Sequence, residues 1–160
     1  MDLRIYRTTT VLTLTTWDDK NKAFIELTPA LDGASKGQPK PGEKRYDYDK
    51  TLRISFQPVD MLTASYKLEG MSKGAPLELQ KFGDMSKVAN SDSKDKKSLS
   101  IKPTGKPEGG VYVNLSVGAD KINVTLSNEE AYAISRWFDI QAQKFILKTV
   151  PRGTEEEHTD

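Results

Sequence analysis

No cysteine occurs in the 160 residues. Disulfides, thiolate zinc sites and cysteine nucleophiles are thereby excluded, which fits a reducing compartment. Histidine is nearly absent too. The single His158 stands in the last six residues, EEEHTD; a general base needs a fixed pose, so His158 is read as a solvated tail residue. No stretch approaches the ~18 apolar residues of a membrane helix. The opening MDLRIYRTTT has no apolar run of the signal-peptide kind. The expectation is a cytoplasmic protein with no membrane partner. Signatures for phosphate-loop, dinucleotide, nucleophile-elbow and zinc-protease chemistry are all missing. DSKDKK lacks the spacing of a calcium loop, and Asp18 and Asp19, adjacent in a turn, diverge rather than pair. The reading is a non-enzyme with no metal and no cofactor.

Apolar residues are also scarce, at 36%. That is a thin supply for one large core and predicts much exposed sheet or loop. Charges of the two signs nearly cancel, to a net +1. The cancellation hides an asymmetry. The last six residues hold Glu155, Glu156, Glu157 and Asp160 and no Lys or Arg, so setting these four acids aside raises the net +1 to +5. A mildly basic body carries an acidic tail, the kind of segment that can compete for a basic groove or recruit replication proteins.

What is present is alternation. In LRIY, Leu3 and Ile5 face one way and Arg4 and Tyr6 the other. After RTTT the phase flips, putting Leu12 and Leu14 inward and Val11, Thr13, Thr15 and Trp17 outward. A period of two cannot change phase without a break, so two strands, or one bent strand, are expected at about 3–7 and 10–17. Strands follow at AFIELT and TLRISFQ, separated by a long Gly/Pro/Lys loop. Pro58 suits a first helical position; Val59, Leu62 and Tyr66 repeat at helical spacing, and Gly70 supplies a stop. LELQKF and SLSIK predict two more strands, with a polar loop between them. Val111 to Leu126 predict a hairpin turning at Gly118 to Asp120. Ser127 and Glu130 form a capping box for a helix to about Leu147. The plan is α+β: two ββββα units, antiparallel sheets with helices packed on one side. Residues 1–150 make one domain of two halves, about 1–70 and 75–150, with 151–160 as tail.

The outward positions hold Arg, Thr and aromatics rather than the usual Lys, Glu and Ser. Arg4, Tyr6, Arg7, Trp17, Lys20, Lys22 and Arg53 gather from strands and turns, and Lys44, Arg45, Tyr46 and Tyr48 from the long loop. The second half adds Lys81, Phe82, Lys102, Lys106, Tyr112 and Lys121. Single-stranded nucleic acid asks for this mixture: cations for phosphates and flat rings for unpaired bases. The same residue types also make good cross-strand pairs that only stabilise a sheet. In the last helix, Ala131, Ile134, Phe138, Ala142 and Phe145 form a stripe with Trp137 beside it. It caps the sheet, and leftover surface on Ile134, Trp137, Phe138 and Phe145 is expected to serve a homo-oligomer.

Four strands then a helix, twice over, resembles the Whirly and positive-cofactor-four fold across residues 3–147, at the level of element order. No residue motif of those proteins carries over, and the lysine-glycine-lysine-alanine motif of plant Whirly proteins is missing. The resemblance implies single-stranded DNA, or RNA, bound along the sheet faces and hairpins. It also implies assembly through the helices at about 58–70 and 127–147, and it would suit a phage or bacterial protein of replication or recombination. The rival function is a protein-interaction or phage assembly module; the rival architecture for strand binding is an OB-fold.

Overall fold

The computed structural model describes residues 2–31, 41–84 and 96–149. Strands β1 (Leu3–Tyr6), β2 (Thr10–Trp17), β3 (Lys22–Pro29) and β4 (Leu52–Phe56) form one antiparallel sheet in that order. Helix α1 (Pro58–Ser72) follows. Strands β5 (Leu79–Asp84), β6 (Lys96–Pro103), β7 (Val111–Val117) and β8 (Asp120–Leu126) form the second sheet, again in sequence order. Helix α2 (Asn128–Thr149) follows β8. The architecture is the expected α+β pair of ββββα units. The acidic residues 155–160 and the segments 32–40 and 85–95 lie outside the described residues.

The phase flip near residue 7 is a hairpin. Arg7 N–H donates to the Thr10 carbonyl at 2.8 Å, and Ile5 pairs with Leu12 and Tyr6 with Val11. Paired residues in an antiparallel sheet share a face, so the odd inward positions of β1 meet the even ones of β2.

One core serves both halves. Leu12, Leu14, Ile25 and Ile54 from the first sheet join Leu99, Ile101, Val113 and Leu115 from the second and Phe138 and Phe145 from α2. The rings of Phe56 and Phe138 stand 4.9 Å apart, tilted, which binds β4 to α2. The helices lean on each other, with Ser135 Oγ donating to the Ser65 carbonyl at 2.7 Å.

Both helices start on reciprocal side-chain bonds. Ser127 N–H donates to Glu130 at 2.8 Å and Glu130 N–H to Ser127 Oγ at 3.1 Å, the capping box read from the sequence. At α1, Gln57 N–H donates to Asp60 at 3.0 Å. The α1 stripe needs correcting. Val59 and Tyr66 are 68% and 70% exposed, and Leu62 is exposed too; the buried face is Met61, Ala64, Leu68 and Met71. The helix is apolar on two sides, and only the Met61, Ala64, Leu68 and Met71 side joins the core. Gly70 does not stop the helix but lies within it, where a Cβ would stand 2.5 Å from Leu77 Cδ1. Termination falls to Gly74, at φ +90°.

Helix α2 is fastened to the first sheet near both ends. Arg7, at the β1–β2 turn, bonds Glu130 in the first turn of α2. Lys144, towards the other end, bonds Asp18 after β2 at 3.1 Å. The inner face of the first sheet is covered by the second sheet, β4 against β7 and β3 against β8, together with the helices, and the outer face is left to solvent. Among the described residues, no helix is long and apolar enough to cross a membrane.

Candidate nucleic-acid interface

Strand register arranges the outer face of the first sheet in rows. Arg4, Thr13, Glu26 and Arg53 lie in one row across all four strands. Thr15, Phe24 and Ser55 make the next, and Trp17 with Lys22 the last. Tyr6, Val11 and Thr28 lie on the other side of the first row. Tyr6 is 56% and Trp17 51% exposed, so an aromatic ring is open to solvent at each end of the face. Lys20 Nζ stands 5.9 Å from the Trp17 ring, within the range of cation–π attraction.

The middle row is not free cation. Arg53 donates through Nε and Nη2 to one Glu26 carboxylate oxygen, at 3.0 and 2.7 Å, and its guanidinium lies 5.1 Å from the Phe24 ring centre. Phe24 and Glu26 are the outward residues that the sequence reading overlooked. Alternation against Ile25 and Leu27 was their available signal; the pairing with Arg53 needs the register of two strands.

At the Tyr6 end, loop residues 41–50 fold onto the sheet. Leu31 N–H donates to the Arg45 carbonyl at 2.8 Å and Asp47 N–H to the Pro29 carbonyl at 2.9 Å. These bonds prolong the sheet and send the Tyr46 side chain back across its outer face. Its hydroxyl donates to the Arg7 carbonyl at 2.6 Å, and its ring centre is 6.0 Å from that of Tyr6. Spanning from the β3 edge to the β1 turn, the ring passes over β2, which accounts for Val11 being buried although it faces outward. The result is a concavity of about 490 Å³ lined by Tyr6, Tyr46, Tyr48, Lys44, Arg45 and Glu43. Arg4 belongs to the same corner: hydrogen bonding to Tyr6, with charge attraction to it, raises the Arg4 guanidinium above its ordinary value.

No protein-family model and no curated protein sequence matches the chain. Solved structures do. The crystal structure of WHY1 from Arabidopsis thaliana, a Whirly protein, matches with a TM-score of 0.69 at 17% identity, covering 96% of this chain and 94% of that one. The structure of the plant transcriptional regulator PBF-2 matches with a TM-score of 0.62 at 16% identity, covering 91% and 90%. The fold is the Whirly fold.

Within this Whirly fold the sequence-derived residues separate into groups. Arg4, Tyr6, Lys44 and Arg45 come together at the tyrosine corner. Trp17, Lys20 and Lys22 gather at the opposite end of the first sheet. Tyr112 lies on the second sheet, 36% exposed, between Lys102 and Thr125. The next row of that outer face is uncharged, Gln80, Ser100, Asn114 and Asn123, and the row after it holds exposed Phe82, Ser98, Ser116 and Lys121.

Other candidates are engaged within the chain itself. Tyr46 is a buried structural residue, 5% exposed, because its hydroxyl holds the β1 turn. Arg7 is engaged with Glu130 and, at 3.4 Å, with the Thr125 carbonyl, so it ties elements together. Lys81 shares the face of buried Leu79, and its ammonium is tied to Asp60 at 2.8 Å. Ile134, Trp137, Phe138 and Phe145 are buried within the chain itself and offer no assembly surface. Their stripe is what α2 spends on its own two sheets. Among the described residues, the helix surfaces left apolar and exposed are Val59, Leu62 and Tyr66 on α1, and Tyr132, Ile140, Ile146 and Leu147 on α2.

Proposed function

We propose that this chain is a non-enzymatic single-stranded nucleic-acid-binding protein, acting on DNA without strong sequence preference in replication or recombination. The observation that carries the reading is the open outer face of β1–β4, with solvent-exposed Tyr6 and Trp17 at its two ends and cations beside each, while the helices occupy the other side. Phosphates are neutralised by Arg4, Lys20, Lys22, Lys44 and Arg45, and bases stack on the exposed rings. Each stacked base contributes ~1–3 kcal/mol. The Whirly fold supports this reading through the resemblance drawn from element order, and one neighbour of the same fold is a transcriptional regulator. The protein works as a homo-oligomer in the cytoplasm, assembled through the exposed α1 positions Val59, Leu62 and Tyr66 rather than the buried stripe of α2. The acidic tail recruits replication proteins.

Fluorescence anisotropy with labelled single- and double-stranded DNA and RNA tests the proposal. Single-stranded DNA should bind best, and log Kd should rise linearly with log salt, by roughly 0.7 per phosphate neutralised. Equal affinity for duplex, or binding that ignores salt, would refute it. The exposed apolar side of α1 also favours an assembly module, and that reading gains if no oligonucleotide binds while the protein still self-associates.

A further inference from the structure

We propose that the concavity formed by Tyr6, Tyr46 and Tyr48 holds one nucleobase, turned out of its strand, with the attached phosphate at Lys44 and Arg45. The inference rests on the single-strand reading above and gives it a fixed point. An open sheet face accepts bases anywhere along it. This corner is different, because it is concave and its volume of about 490 Å³ lies in the range of small-ligand pockets.

Three phenol rings line it, and they are not equivalent. Tyr46 is buried and pinned by its 2.6 Å bond to the Arg7 carbonyl, so it serves as a rigid floor. Tyr6 and Tyr48 are 56% and 51% exposed and offer ring faces to a ligand. Tyr48 opens a single helical turn, Tyr48–Lys50, which Asp47 stabilises by accepting from Asp49 N–H at 3.2 Å. A rigid floor lowers the ordering cost of binding. The rim carries Lys44 and Arg45 for a phosphate, and Glu43 completes it. Another cleft of similar size, about 480 Å³ between the sheets, is lined by Asp49, Lys50, Asp120 and Lys121 and has no aromatic ring. Charge alone would not hold a base there.

Photocrosslinking of the full chain to an oligothymidylate bearing 5-iododeoxyuridine, with peptide mapping, tests the pocket. Adducts should fall on Tyr6 or Tyr48. Tyr48→Ala should remove them and weaken oligonucleotide binding at least about five-fold, whereas Tyr48→Phe should keep both. Tyr48 is exposed, so circular dichroism should show Tyr48→Ala folded. Excess thymidine monophosphate should suppress the Tyr48 adduct, and inorganic phosphate should not; suppression by phosphate alone would reduce the corner to an anion site and overturn the proposal. Adducts confined to Trp17, or wild-type affinity in both Tyr6→Ala and Tyr48→Ala, would overturn it too while leaving strand binding intact. Failure of the wild-type protein to bind any oligonucleotide would instead remove the functional reading itself.

Discussion

Replacing Arg7 with alanine should destabilise the protein and leave strand affinity nearly unchanged. Arg7 joins the β1–β2 turn to α2 through Glu130, whose carboxylate also accepts from Ser127 N–H at 2.8 Å. The two side chains are 35% and 27% exposed. That places the pair between a surface ion pair, worth about 0–1 kcal/mol, and a buried hydrogen bond to a charged group, worth about 1.5–3 kcal/mol. A loss of ~1–2 kcal/mol is expected, or about 2–8 °C in Tm for a domain of this size. Glu130→Ala should cost ~1 kcal/mol more, because it also opens the capping box. Acid should expose the same link. Burial by itself would raise the Glu130 carboxyl, but the bonds from Arg7 and Ser127 outweigh it and hold the carboxyl below its ordinary value of 4.5. As pH falls, the unfolded chain therefore takes up this proton first. The contribution is complete above about pH 4.5 and is lost as pH drops through the lower folded value. Thermal melts at neutral and acid pH, run as a double-mutant cycle of Arg7 and Glu130, would measure the coupling. An unchanged Tm in Arg7→Ala, with oligonucleotide affinity down tenfold, would refute the reasoning and return Arg7 to the phosphate contacts.

Glu26→Gln should strengthen strand binding. It loosens the ion pair that holds Arg53 and removes an anion from the outer face, so the salt dependence should steepen by about 0.7 in slope; an unaltered slope in anisotropy titrations would count against phosphate contact there. Phe138→Ala should cost about 3–5 kcal/mol, since the ring is fully buried against Phe56, and denaturant melts should register it as lost stability rather than as dissociation. Leu62→Asp with Tyr66→Asp should yield a folded protein of smaller mass in light scattering; a native-size assembly would remove α1 from the interface. Gly110→Ala should destabilise the β6–β7 connection, because at φ +97° a Cβ would stand 2.6 Å from the Leu126 carbonyl oxygen, and a melt unchanged from wild type would show that the backbone gives way there.

Element order was legible because each signal was local: period-two alternation, Pro58 entering α1, and the Ser127–Glu130 box. In the candidate site, the outward direction of Arg4, Tyr6 and Trp17 was legible because strand alternation alone decides it. Legibility ended where a distant segment decides. Tyr46 sits in KRYDY looking like any loop aromatic, but its burial comes from a reach across two strands to Arg7. Arg53 reads as a free cation until the register sets Glu26 opposite it. In α1 two apolar stripes competed, and nothing within the helix says that Met61, Ala64 and Leu68 are the ones that meet α2; that choice is made by the partner.

The fastening of α2 by Arg7 and Asp18 has a consequence for synthesis. The helix that closes over the first sheet is separated from its anchors by 123 and 126 residues, so the leading ββββα unit leaves the ribosome with its greasy side uncovered and waits for nearly the whole chain. Such distant closure slows folding, and a nascent chain stalled before residue 128 should be a chaperone client. Truncating α2 should leave an aggregating fragment rather than a smaller working protein.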